Sequence, residues 1–256
     1  MSVSYEADGR VGVITLDNPP ANSYDLAMMQ AFSDAVDEAI GGEARAVIVR
    51  SANERFFSAG ADVKTFLEGD VDANLAMIRV SQAAFRRMAA APALFIAHIA
   101  GHALGGGLEI ALACDLRDAN EGRYQLGLPE VTLGLLPGNG GTQRLTRLIG
   151  RSRAIDLLLT GRTFSPEEAL HLGLVSTLYP PEEGEEQVRG VAERLAAGPS
   201  LALAAIKRCV HEGAEQPLEQ GLALEAQLIE ELFRSKDAVE GMTSFVEKRA
   251  PRFTGA

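Results

Sequence analysis

The sequence has little cysteine and no long apolar run. Its two cysteines, Cys114 and Cys209, show no Cys-x-x-Cys spacing, which argues against a disulfide framework and a redox motif. Cys114 stands in an apolar helical pattern, so we expect a buried free thiol and a reducing, cytoplasmic location. No apolar stretch approaches the length of a membrane span, and the first twenty residues are too charged for a signal peptide, so we expect neither export nor membrane insertion.

Positive charge is also scarce. Lysine and arginine number 24 against 35 acidic residues, for a net charge of −11, which argues against a nucleic-acid partner. The sequence has no His/Cys cluster with zinc spacing, no complete dinucleotide fingerprint, no phosphate loop and no nucleophile elbow. We therefore expect no metal and no redox cofactor.

What is present is an ordinary globular composition, 46% hydrophobic over 256 residues, enough for one large domain or a domain with an appendage. Apolar runs predict strands at 11–16, 46–49 and 94–99, and helical spacing predicts helices at 25–40 and 74–90. The alternation indicates an α/β fold with parallel strands and crossover helices. Segment 64–73 fits neither pattern and is expected to be loop-like.

The last third of the chain is predicted to be helical. Apolar residues recur at helical spacing in segments 153–159, 166–172, 187–197, 201–210, 218–233 and 237–247. We place a boundary between residues 190 and 200. The predicted division is a core, residues 1–195, that holds the active site, and a helical assembly region, residues 196–256.

The most informative stretch has three glycines, 105 to 107, that open an apolar helix with Glu109 in its first turn. Free N–H groups at a helix N-terminus bind anionic oxygens, and glycine lets a ligand approach the backbone closely. On its own, however, this stretch also fits a carboxylate that only interacts with the helix dipole.

Two further segments favour the functional interpretation. Gly60 and Ala61 follow a predicted strand in a turn that exposes N–H groups. Glu130 supplies a second carboxyl group after Pro129, and a glycine-rich segment, 137–145, follows. With these motifs the chain closely resembles the crotonase family, the enoyl-CoA hydratase and isomerase superfamily. The resemblance extends from about residue 11 to residue 249 and is most specific at 101–115 and 128–145.

This resemblance implies a fold and an activity. The implied fold is a spiral of ββα units followed by a helical region, assembled as trimers that pair into hexamers. The implied activity is that of an enoyl-CoA hydratase in fatty acid β-oxidation, with CoA as part of the substrate and no separate cofactor. Alternatives are an enoyl-CoA isomerase, another enolate-forming member such as a methylglutaconyl-CoA hydratase, or a non-catalytic CoA-binding or scaffolding protein.

By the same resemblance, the N–H groups of Ala61 and Gly106 form an oxyanion hole for the thioester. Glu109 then activates the water and Glu130 exchanges the proton at C2, although the two carboxyl groups could also share both tasks. Replacing Gly106 by alanine is expected to keep the N–H donor and to change only sterics.

Substrate and CoA contacts are the least specific part of the prediction. They comprise Ala59, Gly60, Asp62, Val63, Lys64, Gly138, Phe245 and Lys248. Because the net charge opposes an anionic ligand, local cations would have to compensate, and the candidates are Lys64 and the pair Lys248 and Arg249. His102 is expected to pack rather than act as a base, and Arg144 to form a structural ion pair.

Overall fold

A computed structural model describes residues 2–256. Its strands are β1 (Val3–Asp8), β2 (Val11–Leu16), β3 (Ser23–Tyr24), β4 (Ala46–Ser51), β5 (Phe56–Ser58), β6 (Gly60–Ala61), β7 (Leu94–Ile99), β8 (His102–Leu104), β9 (Leu116–Asn120), β10 (Leu126–Gly127) and β11 (Thr177–Tyr179). Its α-helices are α1 (Leu26–Gly41), α2 (Val63–Glu68), α3 (Val71–Ala90), α4 (Gly106–Ala113), α5 (Gly141–Ile149), α6 (Arg151–Thr160), α7 (Pro166–His171), α8 (Gly184–Ala197), α9 (Ser200–Arg208), α10 (Leu218–Phe233) and α11 (Lys236–Glu247). A 3-10 helix spans Glu130–Leu133 and a π-helical turn spans Cys209–Gly213.

The main sheet has six strands in the order β1-β2-β4-β7-β9-β11. β1 is antiparallel to β2, and the other neighbours are parallel. Parallel strands are usually buried on both faces, and every residue of β7 is buried. One large cluster includes Phe32 of α1 and Phe85 of α3. A second cluster places Val188 and Ala192 of α8 against strand residues such as Ile48. The sheet is therefore covered by helices on both faces.

Two smaller sheets explain the course of the chain. One has the strand order β10-β8-β5, and the other pairs β3 with β6. Strands β2, β4, β7 and β9 of the main sheet are each followed by a strand of a smaller sheet and then by a helix. This repeat confirms the predicted α/β class built from ββα units.

One expectation about segment 64–73 is wrong. The segment is helical: α2 begins at Val63, and α3 begins at Val71 rather than at residue 74. The side chain of Asp62 accepts a hydrogen bond from the Lys64 N–H, and that of Asp70 accepts one from the Ala73 N–H. Aspartates that interrupt the apolar pattern are thus N-caps, and they start helices instead of marking a loop.

The C-terminal third is helical as predicted, although β11 interrupts it and adds an edge strand to the main sheet. α8 ends at Ala197, and Ala196 is buried against that sheet. The division between residues 195 and 196, with an assembly role for the second part, stays a prediction. No helix within residues 2–256 has the length and apolar character needed to cross a membrane.

Candidate active site

The three-stranded sheet brings the predicted site segments together. Its strands β5, β8 and β10 are parallel, so their carboxyl ends meet at one edge. β5 leads into Ala59, Gly60 and Ala61, β8 leads into the glycine turn before Glu109, and β10 leads to Glu130. Segments that are far apart in the chain therefore become neighbours at this edge.

The two predicted oxyanion segments are in contact. Gly60 has φ +86°, and a Cβ on it would lie 2.8 Å from the Leu104 carbonyl oxygen and 3.1 Å from the Gly106 nitrogen. Only glycine fits such a conformation and such a close approach. Gly106 is the first residue of α4, so its N–H has no acceptor within the helix. Gly60 and Ala61 were predicted to lie in a turn, but they form the short strand β6 because they pair with β3. This strand lies beside the free N-terminus of α4.

Glu109 is buried, with 1% of its surface exposed, and its Oε1 accepts two backbone hydrogen bonds. The donors are the N–H groups of Asn139 and Gly141, each at 2.7 Å. Gly141 is the first residue of α5, so the positive end of that helix faces the carboxylate. Burial raises the pKa of Glu109, while the two N–H donors and the charge of Arg144 oppose this rise.

Glu130 is half-buried and has different surroundings. It opens the 3-10 helix, and its Oε1 lies 3.1 Å from the position of a Cβ on Gly105. Its Oε2 is buried and has no hydrogen-bond partner within residues 2–256. Burial raises the pKa of Glu130 to about 7, and the charge of Glu109 adds to this effect. At neutral pH this side chain can therefore both give and take a proton.

Sequence reasoning missed two side chains of the site, Tyr24 and Asn139. The Tyr24 ring is buried, and its hydroxyl oxygen accepts a 2.9 Å hydrogen bond from Asn139 Nδ2. A Cβ on Gly106 would lie 1.6 Å from that hydroxyl oxygen. The glycine-rich turn around Asn139 was visible in the sequence, but no pattern indicated that Tyr24 reaches it.

The predicted substrate contacts other than Phe245 and Lys248 lie near the edge where β5, β8 and β10 end. Gly138 precedes the Asn139 turn, and its carbonyl oxygen accepts a 2.7 Å hydrogen bond from Gln82 Nε2 of α3. Asp62 caps α2, and Val63 and Lys64 are exposed in the first turn of that helix. These positions are compatible with ligand contact, and their roles stay predictions.

Phe245 and Lys248 are placed elsewhere. Phe245 belongs to α11 and Lys248 ends it, and both are exposed. The helix packs against α10, and Arg249 pairs with Glu240 on it. The structure does not bring either residue into the cluster around Glu109 and Glu130, and their contact with substrate stays a prediction.

His102 packs in the protein as expected, whereas Arg144 does not form the expected ion pair in the part of the chain that the structure describes. His102 packs as expected, because its Nδ1 accepts a hydrogen bond from the Gln125 N–H and its ring lies beside Phe56. Arg144 forms no salt bridge within residues 2–256. It donates instead to the Asn139 carbonyl oxygen at 2.8 Å and lies over the Phe85 ring. The ion-pair expectation is therefore wrong, because a backbone carbonyl oxygen and an aromatic ring surround the guanidinium.

The arrangement joins four groups that acyl-thioester chemistry needs. Two backbone segments can donate N–H groups to one oxygen, which stabilises charge that develops in a transition state. Two carboxyl groups in unlike surroundings can act as a base and an acid.

Comparison with known proteins places the chain among CoA-thioester enzymes. A family model described as enoyl-CoA hydratase/isomerase matches residues 6–256. A probable enoyl-CoA hydratase of Bacillus subtilis is 40% identical, with 99% of both chains covered. The 2,3-dehydroadipyl-CoA hydratase of Escherichia coli is 38% identical, with 96% of both covered. The crystal structure of enoyl-CoA hydratase from Bacillus anthracis superimposes with a TM-score of 0.95 at 36% identity, with all of both chains covered.

Proposed function

The chain belongs to the enoyl-CoA hydratase/isomerase family, and we propose that it is an enoyl-CoA hydratase, an enzyme of the hydro-lyase class. The proposed reaction adds water across the C2–C3 double bond of a trans-2-enoyl-CoA and yields the 3-hydroxyacyl-CoA. The observation that carries this proposal is the pairing of Glu109 with Glu130 beside one glycine turn, in unlike surroundings.

Each carboxyl group suits one half of the reaction. Glu109 accepts hydrogen bonds from two backbone N–H groups. These bonds favour its ionised form, which can take a proton from water. Glu130 has a pKa raised to about 7, so it can deliver a proton to C2. The water oxygen bonds to C3, Glu109 gains the proton of the water, and Glu130 loses one to C2.

The N–H groups of Ala61 and Gly106 are the proposed oxyanion donors. Attack at C3 moves negative charge onto the thioester oxygen, and donors that already point at that oxygen stabilise the enolate. The contact between Gly60 and the Gly106 nitrogen supports this assignment. These groups complete the proposed reaction, so the proposal includes no cofactor beyond the CoA of the substrate.

CoA itself is proposed to lie along β6 and the start of α2, with contacts to Ala59, Gly60, Asp62, Val63 and Lys64, and to approach Gly138. Lys64 is exposed there and can meet a phosphate. Phe245 and Lys248 are proposed to contribute from a neighbouring subunit, which agrees with their exposure on α11.

We further propose self-association as a trimer or hexamer and a role in fatty acid β-oxidation in the cytoplasm. Support for assembly is the exposed apolar surface of α11. Support for a reducing compartment is that Cys114 and Cys209 are both free thiols.

An isomerase is the second candidate. Glu130 alone, with an Oε2 that lacks a partner in residues 2–256 and a pKa near 7, could move a proton between C2 and C4 of an enoyl chain. This activity needs one carboxyl group, whereas hydration uses two.

The deciding experiment follows hydration of crotonyl-CoA, and then of a chain-length series, by loss of the enoyl absorbance. We expect turnover by the wild-type protein, loss of turnover in Glu109→Gln, and normal turnover in Glu121→Gln, an exposed glutamate outside the site. Turnover of a 3-enoyl-CoA that survives Glu109→Gln would favour the isomerase. Binding of CoA without turnover of any enoyl-CoA would overturn both enzyme proposals.

A further inference from the structure

Tyr24 touches three segments of the site. It belongs to β3, which pairs with β6 so that Tyr24 lies opposite Ala61. Its hydroxyl oxygen fills the space beside the Cα of Gly106 and accepts the hydrogen bond of Asn139 Nδ2. Tyr24 thus contacts one proposed oxyanion segment through its backbone, and its buried side chain contacts the other segment and the turn that donates to Glu109.

Asn139 is the link from Tyr24 to Glu109. It is buried, its backbone N–H donates to Glu109 Oε1 at 2.7 Å, and its Nδ2 donates to Tyr24 at 2.9 Å. Its Oδ1 has no hydrogen-bond partner within residues 2–256. The Tyr24 hydroxyl is thus the acceptor that orients this side chain, and Arg144 holds the carbonyl oxygen of Asn139. The Asn139 side chain also interacts with Glu109 and opposes the rise of its pKa.

We propose that Tyr24 is a positioning residue that acts through Asn139 to hold the N–H donors of Glu109 in place. The inference rests on the proposed function, because it assigns a role in preparing the base for attack by water. A phenylalanine at position 24 would keep the ring in the core and remove only the group that orients Asn139.

The charged and titratable groups around Glu109 come from three elements. Tyr24 is on β3, Glu130 is on the 3-10 helix and Arg144 is on α5. Burial and the two glutamates raise the pKa of Tyr24, so its hydroxyl stays neutral. Loss of that hydroxyl would loosen the Asn139 donor, and a carboxylate with fewer donors has a higher pKa.

The test compares Tyr24→Phe with Tyr5→Phe. Tyr5 is a matched control on β1, because its hydroxyl is also buried and has no hydrogen-bond partner in residues 2–256. For Tyr24→Phe we expect kcat for crotonyl-CoA to fall about 3- to 30-fold with KM within about twofold, since one hydrogen bond that positions the base is lost. The acid limb of its pH profile should move to higher pH, and Tyr5→Phe should change neither.

A measurement without turnover separates this inference from the proposed function. The side-chain carboxyl of Glu109 can be followed by carbon-13 NMR and assigned by its absence in Glu109→Gln. We expect its titration midpoint to rise in Tyr24→Phe and to stay in place in Tyr5→Phe. This shift would support the positioning role even if no enoyl-CoA is hydrated, and an unchanged midpoint would overturn it even in an active hydratase.

The variant Asn139→Ala tests whether Tyr24 acts on Glu109 through Asn139. If Tyr24 acts through Asn139, the double variant Tyr24→Phe/Asn139→Ala should be no slower than the slower single variant. Losses that multiply in the double variant would show that Tyr24 acts independently of Asn139, and the proposed route would then be wrong.

Discussion

The hydroxyl oxygen of Tyr24 lies 1.6 Å from the position that a Cβ on Gly106 would occupy. Glycine is thus required at residue 106 for space as well as for backbone approach to a ligand. The steric effect expected of alanine there has a specific cause, because the obstacle is a buried hydroxyl group that accepts a hydrogen bond from Asn139.

Gly106→Ala should therefore damage the site although it keeps the N–H donor. Either α4 or the Tyr24 ring must move, and misplacement of about 1 Å in a catalytic geometry can reduce turnover about 100-fold. Overpacking should also lower the free energy of unfolding by about 1–3 kcal/mol. Gly41→Ala is the control, since a Cβ there meets nothing within 4 Å. Normal kcat in Gly106→Ala would contradict the observed packing.

The pH dependence of hydration should reflect the unlike carboxyl groups. Glu109 acts as the proposed base and must be ionised, so kcat/KM should fall as the pH drops through its raised pKa. Glu130 acts as the proposed acid and must hold a proton, so kcat/KM should also fall as the pH rises above about 7. The measurement is kcat/KM for crotonyl-CoA across pH, which reports ionisations of the free enzyme.

The control for this profile is direct titration of Glu130. Because the charge of Glu109 raises the pKa of Glu130, Glu109→Gln should lower the titration midpoint of the Glu130 carboxyl. A midpoint that stays in place, or activity that remains constant through the neutral range, would contradict these assignments.

Much of the secondary structure follows from periodicity. The predicted bounds of β2, β7 and α10 match the structure because each has an uninterrupted apolar run or a clear helical stripe. Strands β9 and β11 were missed: β9 has the polar residues Arg117, Asp118 and Asn120 at buried positions, and β11 has only three residues.

The site was predictable where glycine and glutamate carry a local signal. Gly106 and Glu109 are three residues apart at the start of one helix, so the sequence displays them together. The contact of Tyr24 with Asn139 joins residues far apart in the chain, and it depends on how β3 pairs with β6. No local pattern contains that information.

A buried ion pair links the helical region to the core. Lys207 Nζ lies 2.9 Å from Asp115 Oδ2 and donates to the carbonyl oxygens of Met88 and Ala93, each at 2.7 Å. Lys207→Met should lower the free energy of unfolding by about 2–5 kcal/mol, because it removes the cation beside the Asp115 carboxylate and leaves two buried carbonyl oxygens without their donor. Asp115 keeps its hydrogen bond from the Phe95 N–H and its contact with His211. Urea denaturation measures this change.

Arg208→Met is the matched control for Lys207→Met. Arg208 pairs with Glu212 at the surface, and exposed pairs contribute only about 0–1 kcal/mol. Equal losses in the two variants would mean that Lys207 is not held as the structure places it.

Assembly should depend on α11. Val239, Met242 and Val246 are exposed at helical spacing and form one apolar stripe. We expect sedimentation to give a trimer or hexamer for the wild-type protein and smaller species for Met242→Glu. Thr243→Glu, an exposed position beside the stripe, should leave the mass unchanged. A monomeric wild-type protein would rule out the proposed assembly.

The last prediction concerns the two glutamates together. Glu109→Gln and Glu130→Gln keep the side-chain size but remove a proton acceptor, and each should slow hydration by about 10²- to 10⁴-fold. The fold and CoA binding should survive, since glutamine can still accept the N–H groups that bind Glu109. If the two carboxyl groups act as one unit, the double variant should be little slower than the slower single variant, because losses in cooperating groups do not add. Single-turnover rates on crotonyl-CoA measure this relationship, and fully multiplicative losses would mean that the two groups serve separate steps.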